Sequence, residues 1–152
     1  MALFRIGRTT ALPAATCWRR VTDWQAHAAS VPLTSVSVRG GGPTGVGTVF
    51  VARSGVGRLG FDDPMEVVRW EPPVGGRPGR CRLVKRGRLI TGWAEIEVRA
   101  VGTGSAVVWV EELRIAVLPG LLDGLVGRVG RLAFGRALDG LLARETRAED
   151  EA

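Results

Sequence analysis

The long middle of the chain, residues 33–117, restricts the fold more than any other feature, because almost all of it has strand periodicity. Apolar and polar residues alternate through segments such as LTSVSVRG, RCRLVKRG and ITGWAEIEVRA. Short glycine-containing turns separate these segments. Such turns join antiparallel strands, whereas parallel strands need long crossovers. The pattern predicts an antiparallel meander of six strands. At Pro64 we expect a β-bulge, since proline cannot donate to the ladder.

The N-terminal part predicts one more strand and two short helices. Residues 2–10 alternate loosely and read as a first strand. Pro13 suits a helix start, and the segment PAATCWRRV that follows has apolar residues at helical spacing. Thr22 or Asp23 can cap a second short helix that ends near Ser30.

After Pro119 the periodicity becomes helical and predicts one long helix with a bend or break near Gly130–Gly135. Arg128 and Arg131 lie opposite its predicted apolar face, which consists of Leu121, Leu122, Leu125, Val126, Val129, Leu132 and Ala133. With so few helices the strands cannot form a parallel α/β sheet, so we expect an α+β fold with the helices on one face of an antiparallel sheet. We assign residues 1–147 to a single domain and 148–152 to a disordered acidic tail.

Composition excludes several classes of protein. The net charge of +6 suggests nucleic-acid binding, but Lys85 is the only lysine, asparagine and tyrosine are missing, and the arginines are dispersed. A GC-rich bacterial genome explains that bias, and we expect no nucleic-acid partner. No run of about 20 apolar residues predicts membrane insertion, and the N-terminus does not resemble a signal peptide, so we expect a cytoplasmic protein.

The cysteines show no metal-ligand spacing, and we expect neither a metal nor another cofactor. Cys17 and Cys81 could form a disulfide, but two buried thiols are favoured.

Several local segments resemble one superfamily in the same order. These are CWRRVTDWQAHAASVPLT, GVGTVFVARS, DPMEVVRWEPP with its W-x-P-P corner, KRGRLITGWAEIEV and VVWVEELRI. Together they resemble the START-like (SRPBCC) helix-grip superfamily, which includes polyketide cyclases/dehydrases and lipid-transfer domains. The resemblance implies a curved antiparallel sheet of about seven strands wrapped around a long C-terminal helix, with two short helices after strand 1. It also implies a cavity between sheet and helix, but it carries no shared catalytic signature.

Strand parity predicts which side chains face inward. In ITGWAEIEV the inner set is Ile90, Gly92, Ala94, Ile96 and Val98, and the small Gly92 and Ala94 should leave room for a hollow. If the KRGRL turn is tight, the preceding strand adds Cys81, Leu83 and Lys85 to this face. The outer face then carries Arg82, Arg86, Glu95, Glu97 and Arg99.

The parity of the last strand depends on its turn. A two-residue turn at Gly102-Thr103 places Trp109 opposite Ile96, and it points Trp109, Glu111 and Leu113 inward. A three-residue turn would instead point Val108, Val110 and Glu112 inward. We favour the first because it keeps the tryptophan with the apolar set.

Two titratable residues are candidates for catalysis. His27, the only histidine, follows Asp23 at helical spacing and could be a base oriented by that carboxylate. We favour the alternative, in which Asp23 caps a helix and the segment is mainly a connector. Glu111, if buried in an apolar cavity, would have a raised pKa and could serve as a general acid or base, with Lys85 as a possible partner. Alternatively it lies outside or in a structural ion pair.

The sequence thus predicts a protein that binds a small, mostly apolar ligand, lipid or polyketide-like, between the sheet and the C-terminal helix. The alternative is a polyketide cyclase/dehydratase-type enzyme that uses a cavity carboxylate for proton transfer. The oligomeric state stays open. The predicted ligand-binding residues are Phe50, Phe61, Met65, Leu83, Lys85, Ala94, Ile96, Trp109, Glu111, Leu113, Leu125, Val129 and Leu132.

Overall fold

The computed structural model describes residues 1–29, 33–40, 42–56 and 58–143. The strands are β1 (Ala2–Thr10), β2 (Thr34–Arg39), β3 (Val49–Val56), β4 (Leu59–Glu71), β5 (Gly79–Arg86), β6 (Ile90–Val101) and β7 (Gly104–Ile115). The helices are α1 (Ala14–Val21), α2 (Trp24–Ala29) and α3 (Asp123–Ala143), and a 3₁₀ turn at Gly120–Leu122 precedes α3. The predicted acidic tail, 148–152, lies outside the described residues, and the single domain over 1–147 stays a prediction.

The seven strands form one antiparallel sheet in the order β1-β7-β6-β5-β4-β3-β2. The chain therefore runs from one edge, β1, through α1 and α2 to the other edge, β2, and the meander returns strand by strand to β7 beside β1. The two short helices and α3 complete the α+β helix-grip fold that the sequence predicted.

The predicted parity of the central strands is confirmed. Ile96 pairs with Trp109 and Ala94 with Glu111, as a two-residue turn at Gly102-Thr103 requires. On the opposite face Arg82 pairs with Glu95 at 3.0 Å and Arg80 with Glu97 at 3.1 Å. The buried face consists of Cys81, Leu83, Lys85, Ala94, Ile96, Val98, Val107, Trp109, Glu111 and Leu113. Cys17 and Cys81 are buried free thiols, as expected.

The expected bulge at Pro64 is wrong. β4 runs without a break through Pro64, which pairs with Val51, and the register shift lies between Val67 and Arg69. The ladder between β4 and β5 begins at Met65. At Pro64 the strand thus has a ladder neighbour on one side only, where a proline is tolerated.

Of the expected bend or break in the last helix, the break is wrong, because α3 is continuous from Asp123 to Ala143. The glycines instead let the helix approach β1. A Cβ on Gly130 would lie 2.8 Å from the ring of Phe4, and one on Gly135 would lie 3.0 Å from the guanidinium of Arg8. This contact turns the predicted apolar face outward, so Leu125, Val129 and Leu132 are 58–59% exposed and do not line the interior. The buried positions of α3 are Gly135, Ala137, Leu138 and Leu141.

Candidate functional site

A cavity of about 210 Å³ lies between the inner face of the sheet and the helices α2 and α3. Of the residues predicted to bind a ligand, it is lined by Phe50, Phe61, Met65, Leu83, Lys85, Ala94, Trp109, Glu111 and Leu113. Ile96 is fully buried but is not on the lining. It lies in the core cluster with Cys17, Trp18 and Val21 of α1, which fill that end of the interior.

The sequence analysis missed part of the lining. The side chains that it did not assign are Trp24, Ala28, Thr34, Val36, Ala52, Ser54, Asp63 and Phe134. Ile90, which strand parity predicted to face inward, also lines the cavity. The periodicity of the sequence could have predicted several of these lining residues. Trp24, His27 and Ala28 share one helical face of α2, and Asp63 has the same parity on β4 as Phe61 and Met65.

The partly exposed lining residues mark the side where the cavity approaches solvent. Thr34 pairs with Ser54, and Ser54 pairs with Phe61, so these three form one row across β2, β3 and β4. Phe61 is 36% exposed, and Ala28 of α2 faces the same region. Among the described lining residues, the most exposed therefore lie where α2 faces β2, β3 and β4.

A continuous series of rings crosses the helix side of the cavity. The centroid distances along it are 4.7–5.8 Å, within the range of favourable aromatic pairs. It joins β1, α3, β7, α2 and β3 in that order, and its members are Phe4, Phe134, Trp109, His27, Trp24 and Phe50. The series therefore links α2 and α3 to the inner face of the sheet around the cavity.

On the sheet side of the cavity, the small side chain of Ala94 leaves space, whereas Gly92 does not contribute to the lining. Gly92 has φ +137°, and a Cβ there would collide with the backbone of Glu112 on β7. The glycine is needed for this close approach of the chains and is not on the lining, so the expectation that it makes room for a guest is wrong. Ala94, 2% exposed, is on the lining as predicted.

His27 lines the cavity but does not form the candidate dyad with Asp23. The Asp23 carboxylate accepts a hydrogen bond from the backbone N–H of Ala26 at 3.2 Å and so caps α2, the alternative favoured by the sequence. The Nε2 of His27 lies 2.8 Å from the carbonyl oxygen of Val21. Because a carbonyl only accepts, Nε2 carries the hydrogen and Nδ1 keeps its lone pair. Burial lowers the pKa of His27, which keeps the ring neutral at pH 7.

Glu111, Lys85 and Asp63 form a buried polar cluster in the cavity wall. The Nζ of Lys85 donates to Oδ2 of Asp63 at 2.9 Å and lies 3.3 Å from Oε1 of Glu111. The indole N–H of Trp109 donates to Oε2 of Glu111 at 3.0 Å. The three charged residues come from β7, β5 and β4 and are at most 8% exposed.

The electrostatics of this cluster are unbalanced, since one ammonium faces two carboxylates. Burial raises the pKa of Glu111, and the opposing effects of Lys85 and the Trp109 hydrogen bond only partly offset it. Burial alone would lower the pKa of Lys85, but attraction to Glu111 and Asp63 outweighs it and raises that pKa. Lys85 therefore stays charged, and Glu111 holds a proton to higher pH than an exposed glutamate.

Three polar atoms of the lining residues have no hydrogen-bond partner in the described part of the chain. They are Oε1 of Glu111, Oδ1 of Asp63 and Nε1 of Trp24, and all three are buried. Lys85 comes close to Oε1 of Glu111, but without the angles of a hydrogen bond. Buried polar groups normally have partners, so these atoms leave hydrogen-bonding capacity for a guest or for water.

Within the described residues, no three histidine, cysteine or acidic side chains are grouped so that they could hold a metal ion. The helices of that part also lack the combination of length and hydropathy that a membrane span requires.

A long helix held against an antiparallel sheet, with a largely apolar cavity between them, defines a START-like helix-grip protein. The sequence matches the family model of polyketide cyclase/dehydrase and lipid transport proteins over residues 1–145, and the chain belongs to that family. A comparison with curated protein sequences gives no match.

Solved structures share the fold at low identity. TTHA0849 from Thermus thermophilus has a TM-score of 0.74 at 20% identity, over 96% of this chain and 98% of that one. The Zhui aromatase/cyclase from Streptomyces sp. R1128 has a TM-score of 0.66 at 16% identity, over 95% of this chain and 93% of that one. Norcoclaurine synthase from Thalictrum flavum has a TM-score of 0.62 at 14% identity, over 95% of both chains. The predicted superfamily is thereby confirmed, whereas the roles of individual site residues stay predictions.

Proposed function

We propose that the protein binds a small, mostly apolar molecule in the cavity between the sheet and α3. The observation that carries the proposal is the 210 Å³ cavity itself, because its walls are aromatic and aliphatic apart from one polar cluster. Removing a guest's apolar surface from water would supply affinity at about 25 cal/mol per Å².

The volume limits the guest. A cavity of about 150 Å³ accommodates a benzene, whereas pockets for drug-sized ligands begin at about 300 Å³. A cavity of 210 Å³ thus suits a compound of one or two rings or a short acyl group. One neighbour in fold is an aromatase/cyclase, and another was solved in complex with a transition-state analogue, which supports small-molecule chemistry in this architecture.

Native mass spectrometry of the purified protein, followed by titration with naphthalene, tests the proposal. Trp24 and Trp109 line the cavity, so a bound aromatic should change tryptophan fluorescence in a saturable way. If no guest copurifies and neither naphthalene nor a hydroxylated naphthalene changes the fluorescence, the binding proposal fails.

The polar cluster favours a second candidate, an enzyme of the polyketide cyclase/dehydratase type. Glu111 has a raised pKa, and it lies beside Lys85 in an apolar cavity, which suits a carboxylic acid that donates a proton to a bound carbonyl or leaving hydroxyl. Lys85 would stabilise negative charge that develops on the same oxygen. In a turnover assay with an aromatic polyketide, Glu111→Gln should abolish the reaction, whereas naphthalene should still bind as it does to the wild type. Loss of thermal stability with unchanged turnover would exclude this role.

A further inference from the structure

We propose that Asp63, Lys85 and Glu111 form a subsite for a hydroxyl group, so that the cavity selects neutral hydroxylated aromatic compounds over anionic acyl compounds. This inference rests on the proposed function, because it names the class of guest that the same cavity takes. It concerns which polar group the guest carries and where that group is held.

The unpartnered oxygens are the first step of the argument. Oδ1 of Asp63 and Oε1 of Glu111 are buried, and among the described residues neither has a well-aligned hydrogen-bond partner. Oε1 of Glu111 has only the poorly aligned ammonium of Lys85 at 3.3 Å. Both side chains line the cavity and flank the Nζ of Lys85, at 2.9 and 3.3 Å. A guest atom that donates a hydrogen bond beside Lys85 would satisfy a group whose burial is otherwise costly.

A hydroxyl matches this arrangement better than other polar groups. It donates one hydrogen bond, which the open carboxylate oxygens require, and its own oxygen can accept from the ammonium of Lys85. The Nζ of Lys85 has three hydrogens, of which one goes to Asp63 and one points to the sulfur of Met65 at 3.5 Å. The third is left for the weakly aligned contact with Glu111 or for a guest oxygen.

Charged guests fit less well. A carboxylate, as in a fatty acid, would place a third acidic group beside Asp63 and Glu111, where it cannot donate. An ammonium can donate to the open oxygens, but it cannot accept from Lys85, whose like charge lies beside it. A plain hydrocarbon would leave both acceptors unsatisfied, so the same shape without the hydroxyl should bind less tightly.

Trp24 supplies a second polar point among the lining residues. The Nε1 of Trp24 is a buried donor with no acceptor in the described part of the chain. The ring of Trp24 stacks on Phe50 at 4.7 Å with an interplanar angle of 7°, which fixes the direction of its N–H. A guest with a carbonyl or second oxygen at its far end can therefore use both points, while its rings fill the apolar space between.

Ligands of matched shape test the proposal on the unmodified protein. Naphthalene, 1-naphthol, 1-naphthoate and 1-naphthylmethylammonium are titrated near neutral pH, with tryptophan fluorescence and calorimetry as readouts. We expect 1-naphthol to bind about tenfold tighter than naphthalene, the size of one additional hydrogen bond of about 1.4 kcal/mol. The naphthoate and the ammonium compound should both bind more weakly than 1-naphthol.

The outcomes separate this inference from the proposed function. Equal binding of naphthalene and 1-naphthol would overturn the hydroxyl subsite and leave the apolar cavity intact. Tightest binding of the naphthoate, or of the ammonium compound, would overturn it too, since the cluster would then select a charge. If none of the four binds, the proposed function itself fails.

The substitution Glu111→Gln tests the hydroxyl subsite by changing the protein instead of the ligand. The indole N–H of Trp109 needs an acceptor, so the amide oxygen should take the place of Oε2 and the NH₂ group that of Oε1. The open acceptor becomes a donor, and the preference for 1-naphthol over naphthalene should fall from about tenfold to about twofold or less, with naphthalene affinity unchanged. The matched control is Glu95→Gln, on the outer face beside Arg82, which should change neither affinity. Equal weakening of both ligands in Glu111→Gln would assign Glu111 a structural role only.

Discussion

Replacing Ala94 by leucine distinguishes a cavity from an ordinary core, because the two predict opposite signs of the stability change. Ala94 is 2% exposed and lines the cavity on β6, between Leu83 of β5 and Glu111 of β7. Leucine adds three carbons there. Each displaces about the 30 Å³ that one water occupies, so together they fill less than half of the 210 Å³.

The magnitude follows from burial. Three additional carbons contribute at most about 2.4 kcal/mol at about 0.8 kcal/mol for each buried CH₂, and fixing the leucine rotamer costs about 0.5–1 kcal/mol. We therefore expect Ala94→Leu to stabilise the protein by about 1.5 kcal/mol, which for this chain length corresponds to a rise in Tm of about 3–6 °C. The same substitution should weaken naphthalene binding, since it occupies the guest's space.

The matched control is Ala137→Leu. Ala137 of α3 is 1% exposed, equally small, and not on the cavity lining. Overfilling a packed site costs about 1–3 kcal/mol, so this variant should have a lower Tm. Calorimetry on both variants decides the question. If Ala94→Leu lowers the Tm as Ala137→Leu does, the space beside Ala94 is packed, and the case for a bound guest loses its basis.

Three further predictions concern titratable groups. The pKa of Glu111 is raised by burial, so its contribution to stability is complete below its ordinary pKa of 4.5 and is lost as pH rises through the folded value. Glu111→Gln should therefore gain stability relative to wild type as pH rises above 4.5 in urea unfolding, and a constant difference would contradict the assignment. The pKa of His27 is lowered by burial, so its contribution is present above 6.5 and is lost as pH falls through the folded value. His27→Gln should flatten the loss of stability below about pH 6, and an unchanged slope would show that His27 titrates as an exposed residue. Burial raises the pKa of the Cys81 thiol to about 12, so a thiol reagent at pH 8 should modify Cys81 only on unfolding, and rapid modification of the native protein would refute its burial.

The strands and their faces were predictable because alternation and turn length together determine parity. The two-residue turn at Gly102-Thr103 placed Trp109 opposite Ile96. Because side chains alternate along a strand, this pairing also determined which residues of β5, β6 and β7 face inward. Asp63 was missed although its neighbours Phe61 and Met65 were assigned to the wall. A charged residue is tolerated inside only because Lys85 of the next strand reaches it, and alternation within one strand does not reveal such a partner.

The orientation of α3 was not predictable from its apolar residues. Hydrophobic periodicity selects the face with the largest side chains, which on this helix includes Leu125, Val129 and Leu132. The helix instead contacts β1 through glycine, where the ring of Phe4 occupies the space that a Cβ on Gly130 would need. The close approach of α3 to β1 at Gly130 is therefore realised at the expense of burying these three aliphatic side chains. The pattern of apolar residues in the sequence does not reveal that approach.

The energetics of an empty cavity argue that this interior is meant to be occupied. At about 24 cal/mol per Å³, the value for sealed cavities, leaving 210 Å³ unfilled would cost at most about 5 kcal/mol, which is comparable to the lower end of the net stability of a small domain, about 5–15 kcal/mol. Collapse would recover part of that cost, but the ring of Trp24 on α2 stacks on Phe50 of β3 and so holds α2 in place above the sheet. The buried cluster around Lys85 opposes collapse as well, because closing on it would bury open acceptors more deeply. A guest that fills the apolar volume and donates to the cluster removes both costs at once, and this is the physical reason to expect one.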